Sequence, residues 1–429
     1  MADSSQAHRI EERTASISAG PTTKSERVVS LDVLRGFAML GILVMNIQSF
    51  SMVGAAYFNP TAFGNLEGAN YGVWYLSHLL ADMKFMTIFS MLFGAGIALM
   101  SGRQSAKGKS PAGLHYRRMG WLLVIGLMHA YLLWPGDILV AYALCGLVVF
   151  LFRNLSPRVL LLLGLLLIGV GSGLSTLSGL SMSYWPEEEL VRFEREEWLP
   201  TAEDIDQELA VFQAGSWLDQ MPLRAMDAFY LETFVFLFLF LWRAGGLMLI
   251  GMALFKLDVF SAQRSRAYYG GLVALAVLVG APVVMLGIHR NFEMGWDVAY
   301  SFFFGNQFNY WGSILISLGY VGAIMLVCQS KRLSRLTWPL ARVGQMALSN
   351  YLLQTTVCTL LFYGHGLGQF GRFSRVDQIL TVLVVSLLQL VVSLVWLNYF
   401  RFGPCEWLWR SLSYWKRQPF LLETGAGQN

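Results

Sequence analysis

The sequence predicts an all-α, polytopic membrane protein with about ten transmembrane helices and both termini cytoplasmic. Three observations carry this. The 429 residues are 55% hydrophobic and only 14% charged, with a mean hydropathy of +0.51, far from an ordinary soluble domain. Several apolar runs reach the roughly 20 residues needed to cross a hydrocarbon core. The loops between them alternate between rich and poor in Lys/Arg, as the positive-inside rule requires of a multi-pass chain.

Taken in order, residues 1–30 are polar and of mixed charge. They lack the basic start, apolar core and small-residue cleavage site of a signal peptide. The reading is a disordered cytoplasmic tail, with the first span acting as an uncleaved signal. That span, 33–54, opens as "LDVLRGFAMLGILVMN", with Asp32 and Arg35 at its start and Asn46 inside the apolar run. The segment "YGVWYLSHLLA" (71–81) reads as a short surface helix leading into span two, 82–101, which opens with Asp82 and Lys84. Spans three and four, 118–135 and 137–152, are separated by the Pro135–Gly136 break, with His129 before it and Asp137 after it. Span five is 158–180. An acidic loop at about 181–228 carries Leu, Trp and Phe at helical intervals, consistent with amphipathic helices over the outer face or with a solvated connector. Spans six to ten are 229–254, 268–288, 298–328, 343–363 and 377–400. The sixth holds Arg243, and "FFFGNQFNYWGS" is expected to interrupt the eighth. Residues 404–429 form the cytoplasmic C-terminal tail, leaving 31–403 as the transmembrane domain.

Sidedness follows from charge. "SGRQSAKGKSPAGLHYRR" holds five Lys/Arg, and basic clusters recur at Arg153/Arg158, Lys256/Arg264/Arg266, Lys331/Arg332/Arg335 and Lys416/Arg417. Residues 54–70 hold none. The basic loops have consistent parity and read as cytoplasmic.

Ionisable groups inside spans are costly, so each is a candidate for function. Arg35 and Asn46 are eleven residues apart, about three helical turns, and so share a face. The tight turn after span three can bring Asp137 to His129, fixing its tautomer. Asp82, Lys84 and Arg243 need partners or a wet cavity. Asn306, Gln307, Asn309, Asn350 and Gln354 read first as interhelical hydrogen-bonding residues. Cys145, Cys328, Cys358 and Cys405 are scattered without metal spacing. No metal is expected. Donors and a base fall in the outer half and cations crowd the inner face, a layout suited to passing a group from a cytoplasmic phosphorylated donor to an outer acceptor.

"LDVLRGFAMLGILVMNIQSF", "KFMTIFSMLFGAGIALM", "RRMGWLLVIGLMHAYLLWPGDILVAYALCG", "VGQMALSNYLLQ" and "GPCEWLWR" resemble, in order, the motifs of the YeiB-like bacterial membrane proteins. That family looks like a distant relative of the transmembrane acyltransferases, which include the bacterial O-acyltransferases and lysosomal heparan-α-glucosaminide N-acetyltransferase. The resemblance rests on the "R-G-hydrophobic-A" opening of span one, where Arg35 matches the family Arg. Eleven positions on, the O-acyltransferases carry an essential His and this chain carries Asn46. The lysosomal enzyme also has Asn there, with its catalytic His three turns further, where this chain has Tyr57.

The resemblance implies acyl transfer, most simply acetyl, from cytoplasmic acetyl-CoA or another acyl-CoA to an outward-facing hydroxyl or amine of a glycan, lipid or small molecule. The family His does not carry over, so the span-embedded His129 is nominated in its place as general base, with Asp137 its orienting partner and Asn46 a donor to the developing oxyanion. Arg35, Arg117 and Arg118 are expected to grip the CoA phosphates. The alternative is a transporter or exporter of a small anionic or amphipathic substrate, with Arg243 and Lys84 binding it. In support, spans one and six share an Arg followed by small residues, a weak trace of inverted repeats. The expected surroundings are the bacterial inner membrane and its bilayer. A homodimer is compatible with the sequence, and no nucleic-acid partner is expected.

Overall fold

Hydropathy set the expectation of helices, and helices are what form, in the computed structural model describing residues 28–422. In chain order the longer ones are α1 (Val29–Ser51), α2 (Gly68–Leu80), α3 (Lys84–Ala106), α4 (Ala112–Leu132), α5 (Leu139–Val149), α6 (Pro157–Ser181) and α7 (Ala202–Ala214). They continue with α8 (Met221–Lys256), α9 (Arg266–Glu293) and α10 (Ala299–Gln329). The last are α11 (Ser334–Gln345), α12 (Ala347–Phe362), α13 (Arg375–Tyr399) and α14 (Pro404–Tyr414). Each of the ten expected spans coincides with one of these. Among the described residues, seven helices are long and apolar enough to cross a membrane, α2 and α3 counting as one; α4, α5 and α12 fall short in length or hydropathy. The tail expected at 1–30 lies outside the described residues except for its last three, as do residues 423–429.

Exposure shows what surrounds the bundle. Leu162 on α6 (68%), Leu278 on α9 (74%) and Val384 on α13 (67%) face outward, among many exposed apolar neighbours. A soluble protein rarely exposes contiguous apolar area on that scale, whereas hydrocarbon accepts it. Helices α1, α3, α8 and α10 are central, and α6, α9 and α13 lie at the rim.

Close helix crossings depend on glycine. A Cβ on Gly94 of α3 would lie 1.9 Å from the Met248 carbonyl oxygen of α8, and one on Gly251 would lie 1.9 Å from that of Met91. The two backbones touch reciprocally, as small residues allow in membranes. Gly36 of the "RG" pair does the same for α1 against α11: its Cβ would meet the Leu340 carbonyl oxygen at 1.8 Å, and a Cβ on Gly344 would meet that of Asp32 at 1.9 Å. Half of the span-one signature is therefore a packing requirement.

Two features differ from expectation. The interruption expected after Phe304 is absent. Ala299–Gly305 winds in wide π turns and passes directly into the α-helical Asn306–Gln329. Gly305 is small because a Cβ there would strike the Asn291 side-chain oxygen at 1.9 Å, so packing, not a break, explains it. Helix α8 starts at Met221, ahead of the expected 229, because Pro222 sits in its first turn, where a missing N–H costs nothing. The loop before it forms two short helical stretches, Glu187–Phe193 and α7. Thr201 and Asp204 close α7's start with a reciprocal capping box.

The loops collect at two ends. At one, Ser30 Oγ donates to the Phe260 carbonyl at 2.6 Å, Lys256 Nζ donates to the Arg153 and Leu155 carbonyls, both at 2.7 Å, and Arg117 Nε donates to Ser413 at 3.0 Å. This end gathers the basic loops with the start of α1 and with α14. At the other, Asn59 donates to the Trp198 carbonyl, Trp198 to that of Trp296, and Trp217 to that of Leu132. The Lys/Arg-poor loops meet here.

Candidate functional site

Helix α4 runs from Arg117 and Arg118 at the basic end to His129, three residues before its last turn closes at Leu132. Pro135 and Gly136 then reverse the chain. Asp137 opens α5 by accepting the Val140 backbone N–H on Oδ2 at 2.8 Å, which satisfies one of the orphan donors of a helix start. Its other oxygen, Oδ1, lies 2.7 Å from His129 Nδ1. Gly126 gives this turn room, since a Cβ there would sit 2.8 Å from Val140 N. Both side chains are about 1% exposed.

The imidazole's other nitrogen is also engaged. His129 Nε2 lies 2.9 Å from Thr355 Oγ1 of α12. With Nδ1 donating to Asp137, Nε2 is left as an acceptor for the Thr355 hydroxyl, which also lies 3.3 Å from the Tyr351 carbonyl. A carboxylate, an imidazole and a hydroxyl thus lie in line, with the ring in the tautomer a general base requires. Tyr351 packs 5.0 Å from the ring. Trp134 meets it edge-on at 6.3 Å and itself stacks on Phe50 of α1 at 4.1 Å.

Asn46 precedes Phe50 by one turn and shares its face. It is half-buried and forms no side-chain hydrogen bond among the described residues, so it is not tied to His129. With Arg35, Ile42 and Ser49 it makes a half-buried stripe along α1, within about a 60° sector at 100° per residue. Arg35 pairs with Asp32 at 3.0 Å. Exposed Arg117 holds Ser413, and Arg118 lies over the Trp409 ring at 4.4 Å while Trp409 donates back to its carbonyl. All three cations therefore have internal partners, and the latter two anchor α14 on α4.

A second polar cluster lies between α2, α3 and α10. Lys84 is fully buried, and its Nζ donates to Asn309 Oδ1 and to the His78 carbonyl, both at 2.6 Å. Asn309 donates to Asp82 Oδ2 at 2.7 Å, which also lies 3.2 Å from His78 Nδ1. Nearby, fully buried Arg243 reaches the Tyr310 carbonyl at 2.7 Å, Ser313 at 2.8 Å and Thr87 at 3.2 Å. Asn306 is half-buried without a side-chain hydrogen bond among the described residues, while Gln307 bridges to Ser172 and Ser175 of α6.

A third cluster joins α12 to its neighbours. Gln354 donates to the Met39 carbonyl and to Gln389, Gln389 to the Asn350 carbonyl, and Asn350 to Ser393. Residues that sequence reasoning missed are Thr355, Gln389, Ser393 and Glu406. A Thr or Gln in an apolar helix carries little signal by itself. Glu406 was legible only as part of "GPCEWLWR".

Glu406 of α14 accepts from the backbone N–H groups of Leu348 and Ser349 at 2.6 and 3.1 Å and from Ser349 Oγ at 2.5 Å. The C-terminal helix thereby caps α12, which carries Thr355. Burial pushes this carboxyl above its ordinary range, and the bonds it accepts pull the other way.

A family profile described as a protein of unknown function, DUF418, matches residues 254–416, from the end of α8 through α14. Among full-length relatives, "Uncharacterized protein YxaH" of Bacillus subtilis is 29% identical over 428 residues, covering 94% of this chain and 98% of its own. A 39.9 kDa protein from the amylase 3′ region of Bacillus acidopullulyticus, described as uncharacterized, is 28% identical and covers 95% and 99%. "Uncharacterized protein YeiB" of Escherichia coli K12 is 32% identical over 407 residues, covering 93% of this chain and 99% of its own. At that identity and coverage, the chain belongs to the YeiB family.

Proposed function

We propose that this protein is a transmembrane acyltransferase of the bacterial inner membrane, moving an acyl group, most simply acetyl, from cytoplasmic acyl-CoA to an outward-facing hydroxyl or amine. The observation that carries this reading is the Asp137–His129–Thr355 alignment, with spacings of 2.7 and 2.9 Å. In this reading all ten helices span, with α4, α5 and α12 supported by their neighbours. The basic end, with both termini, is cytoplasmic by the positive-inside rule.

The chemistry balances without a redox partner. The acceptor oxygen or nitrogen takes the place of the Thr355 hydroxyl at His129 Nε2 and attacks the thioester carbonyl. Its proton passes to Nε2, and Asp137 stabilises the imidazolium. The C–S bond then breaks, and the imidazolium returns the proton to the departing CoA thiolate. Asn46, with an unspent amide on the half-buried stripe, donates to the developing oxyanion. Arg35, further along that stripe, exchanges Asp32 for a CoA phosphate.

The test is acyl transfer from labelled acetyl-CoA by protein reconstituted in liposomes. His129→Ala should abolish transfer while acetyl-CoA still binds, because the donor is held at the opposite end of α4. Wild-type turnover in His129→Ala would refute the reading. A transporter is the second reading, favoured by the fully buried cations Lys84 and Arg243 with Asp82 as their nearby carboxylate. It takes first place if acetyl-CoA neither binds nor is consumed and Lys84→Met abolishes anion flux across the same liposomes.

A further inference from the structure

Arg224, Arg243 and Arg375 are fully or almost fully buried, and each retains an Nε–H with no hydrogen-bond partner. None forms an ion pair with a carboxylate among the described residues. A buried guanidinium is costly unless its charge is met. Arg375 borders a cavity.

That cavity lies at the end away from the basic loops, between α1, α2 and the start of α13, with about 220 Å³ of non-atom space including its open mouth. Its polar wall is Gln48, Ser77, Arg375 and Gln378. Most of their hydrogen-bonding capacity can be traced. Arg375 Nη1 donates to Gln48 Oε1 at 2.7 Å and Nη2 to the Pro60 carbonyl at 3.1 Å. Gln378 donates to Ser51 at 2.9 Å. Ser77, only 7% exposed, has a hydroxyl with no partner among the described residues. What remains unspent is a full positive charge and a hydroxyl. The nearby Asp377 carboxylate is committed to capping Ser374.

The rest of the lining is apolar and leads outward. Val73 and Ile379 border the cavity. One and two turns beyond Ile379 on the same face of α13, Leu383 and Leu387 are 61% and 62% exposed. The enclosed part has room for about one oxygen atom, so it suits a single anionic oxygen of a head group whose remainder sits in the open mouth. We infer that this cavity binds the anionic head, phosphate or carboxylate, of an amphiphile whose apolar chain lies along α13. The site does not rest on the acyl-transfer reading.

The probe is dioctanoyl phosphatidic acid, added to the full-length protein in neutral detergent and read by ligand-induced thermal stabilisation and native mass spectrometry. Wild-type protein should bind it in preference to dioctanoyl phosphatidylcholine. Arg375→Gln should weaken binding by about 10- to 100-fold, the range for one lost charge-assisted bond. Arg375 also ties α1 to the Pro60 loop, so a second variant separates binding from folding. Ser77→Val removes the hydroxyl and puts a methyl into the cavity while leaving the Gln48 and Pro60 bonds in place, and it should weaken binding by more than any shift in its melting without lipid accounts for. Equal binding of phosphatidylcholine, or unchanged binding in both variants, would overturn the site. Equal stabilisation by inorganic phosphate alone would overturn the amphiphile.

Discussion

Replacing Glu406 with Ala tests whether the C-terminal helix holds the candidate site together. The carboxylate accepts three hydrogen bonds at the start of α12, two from backbone N–H groups and one from a hydroxyl. Ser349 Oγ can rotate to a new acceptor, but the Leu348 and Ser349 amides are buried and cannot. Each stranded donor costs about 1–3 kcal/mol. Relief from burying the carboxylate, the same penalty that raises its pKa, offsets part of this, leaving a net loss of about 2–4 kcal/mol. Glu406→Gln keeps a carbonyl oxygen for the amides and should lose about 1 kcal/mol or less. Gly403→Ala should resemble Glu406→Ala, since its Cβ would fall 2.1 Å from Glu406 Oε2. Thermal unfolding in detergent at one fixed scan rate reads the order wild type, Gln, Ala. Equal midpoints for wild type and Glu406→Ala would refute the capping argument, and so would a Gln variant as unstable as the Ala one.

The other expectations concern the far end, the helix crossings and the base. Burial, aided by repulsion from Asp227, pushes the Glu208 carboxyl up to about 7, against the lowering effect of its bond from Gly54 N–H at 3.0 Å. A raised carboxyl pKa means the folded state holds the proton more tightly. The linked stability is complete below about pH 4.5 and is lost as pH rises through about 7. The melting midpoint of wild type should therefore fall between pH 6 and pH 8, and Glu208→Gln should flatten that slope; an unchanged slope sinks the assignment. Gly94→Ala and Gly251→Ala each press a methyl into a backbone carbonyl and should cost at least about 1–3 kcal/mol, read as lost folded protein in detergent. If both accumulate and melt as wild type does, the α3–α8 contact is looser than described. Asp137→Asn can no longer accept the Nδ1 hydrogen without turning its amide and giving up the Val140 cap. Transfer should fall by about 10²–10⁴-fold with acetyl-CoA affinity unchanged, and wild-type turnover would remove Asp137 from the mechanism.

The parts of this protein legible in its sequence are those fixed by local physics. Long apolar runs can form only helices in hydrocarbon, so all ten helical positions were readable. Two of them were misread at points where a glycine or a proline serves packing or capping. Gly305 looks like a helix breaker, yet it clears Asn291. Pro222 looks like loop, yet it starts α8. The His129–Asp137 contact was readable because a single tight turn separates its members. Thr355 was not, because 226 residues separate it from His129 and a lone Thr in an apolar helix is ordinary. The amides show the same limit: Asn309 meets Lys84 and Asp82, whereas Asn306, three positions earlier, forms no side-chain hydrogen bond among the described residues, and only helix packing distinguishes them.

That distinction bears on where activity can reside. The region matched by the family profile, 254–416, contains α12 with Thr355 and its cap from Glu406, but neither His129 nor Asp137. His129 comes from the α4–α5 hairpin, and the hydroxyl at its Nε2 comes from a helix that α14 holds in place. Arg118 and Trp409 tie α14 back to the start of α4. His129 and the Thr355 hydroxyl are thus connected twice, directly through a hydrogen bond and around the basic end through α14. A shift of α14 at that end would carry the start of α12 with it and so be felt at the Thr355–His129 contact at the other end of α4. On the proposed acyl-transfer reading, the half-buried stripe of Arg35, Ile42, Asn46 and Ser49 along α1 is where a donor spanning the two ends would lie.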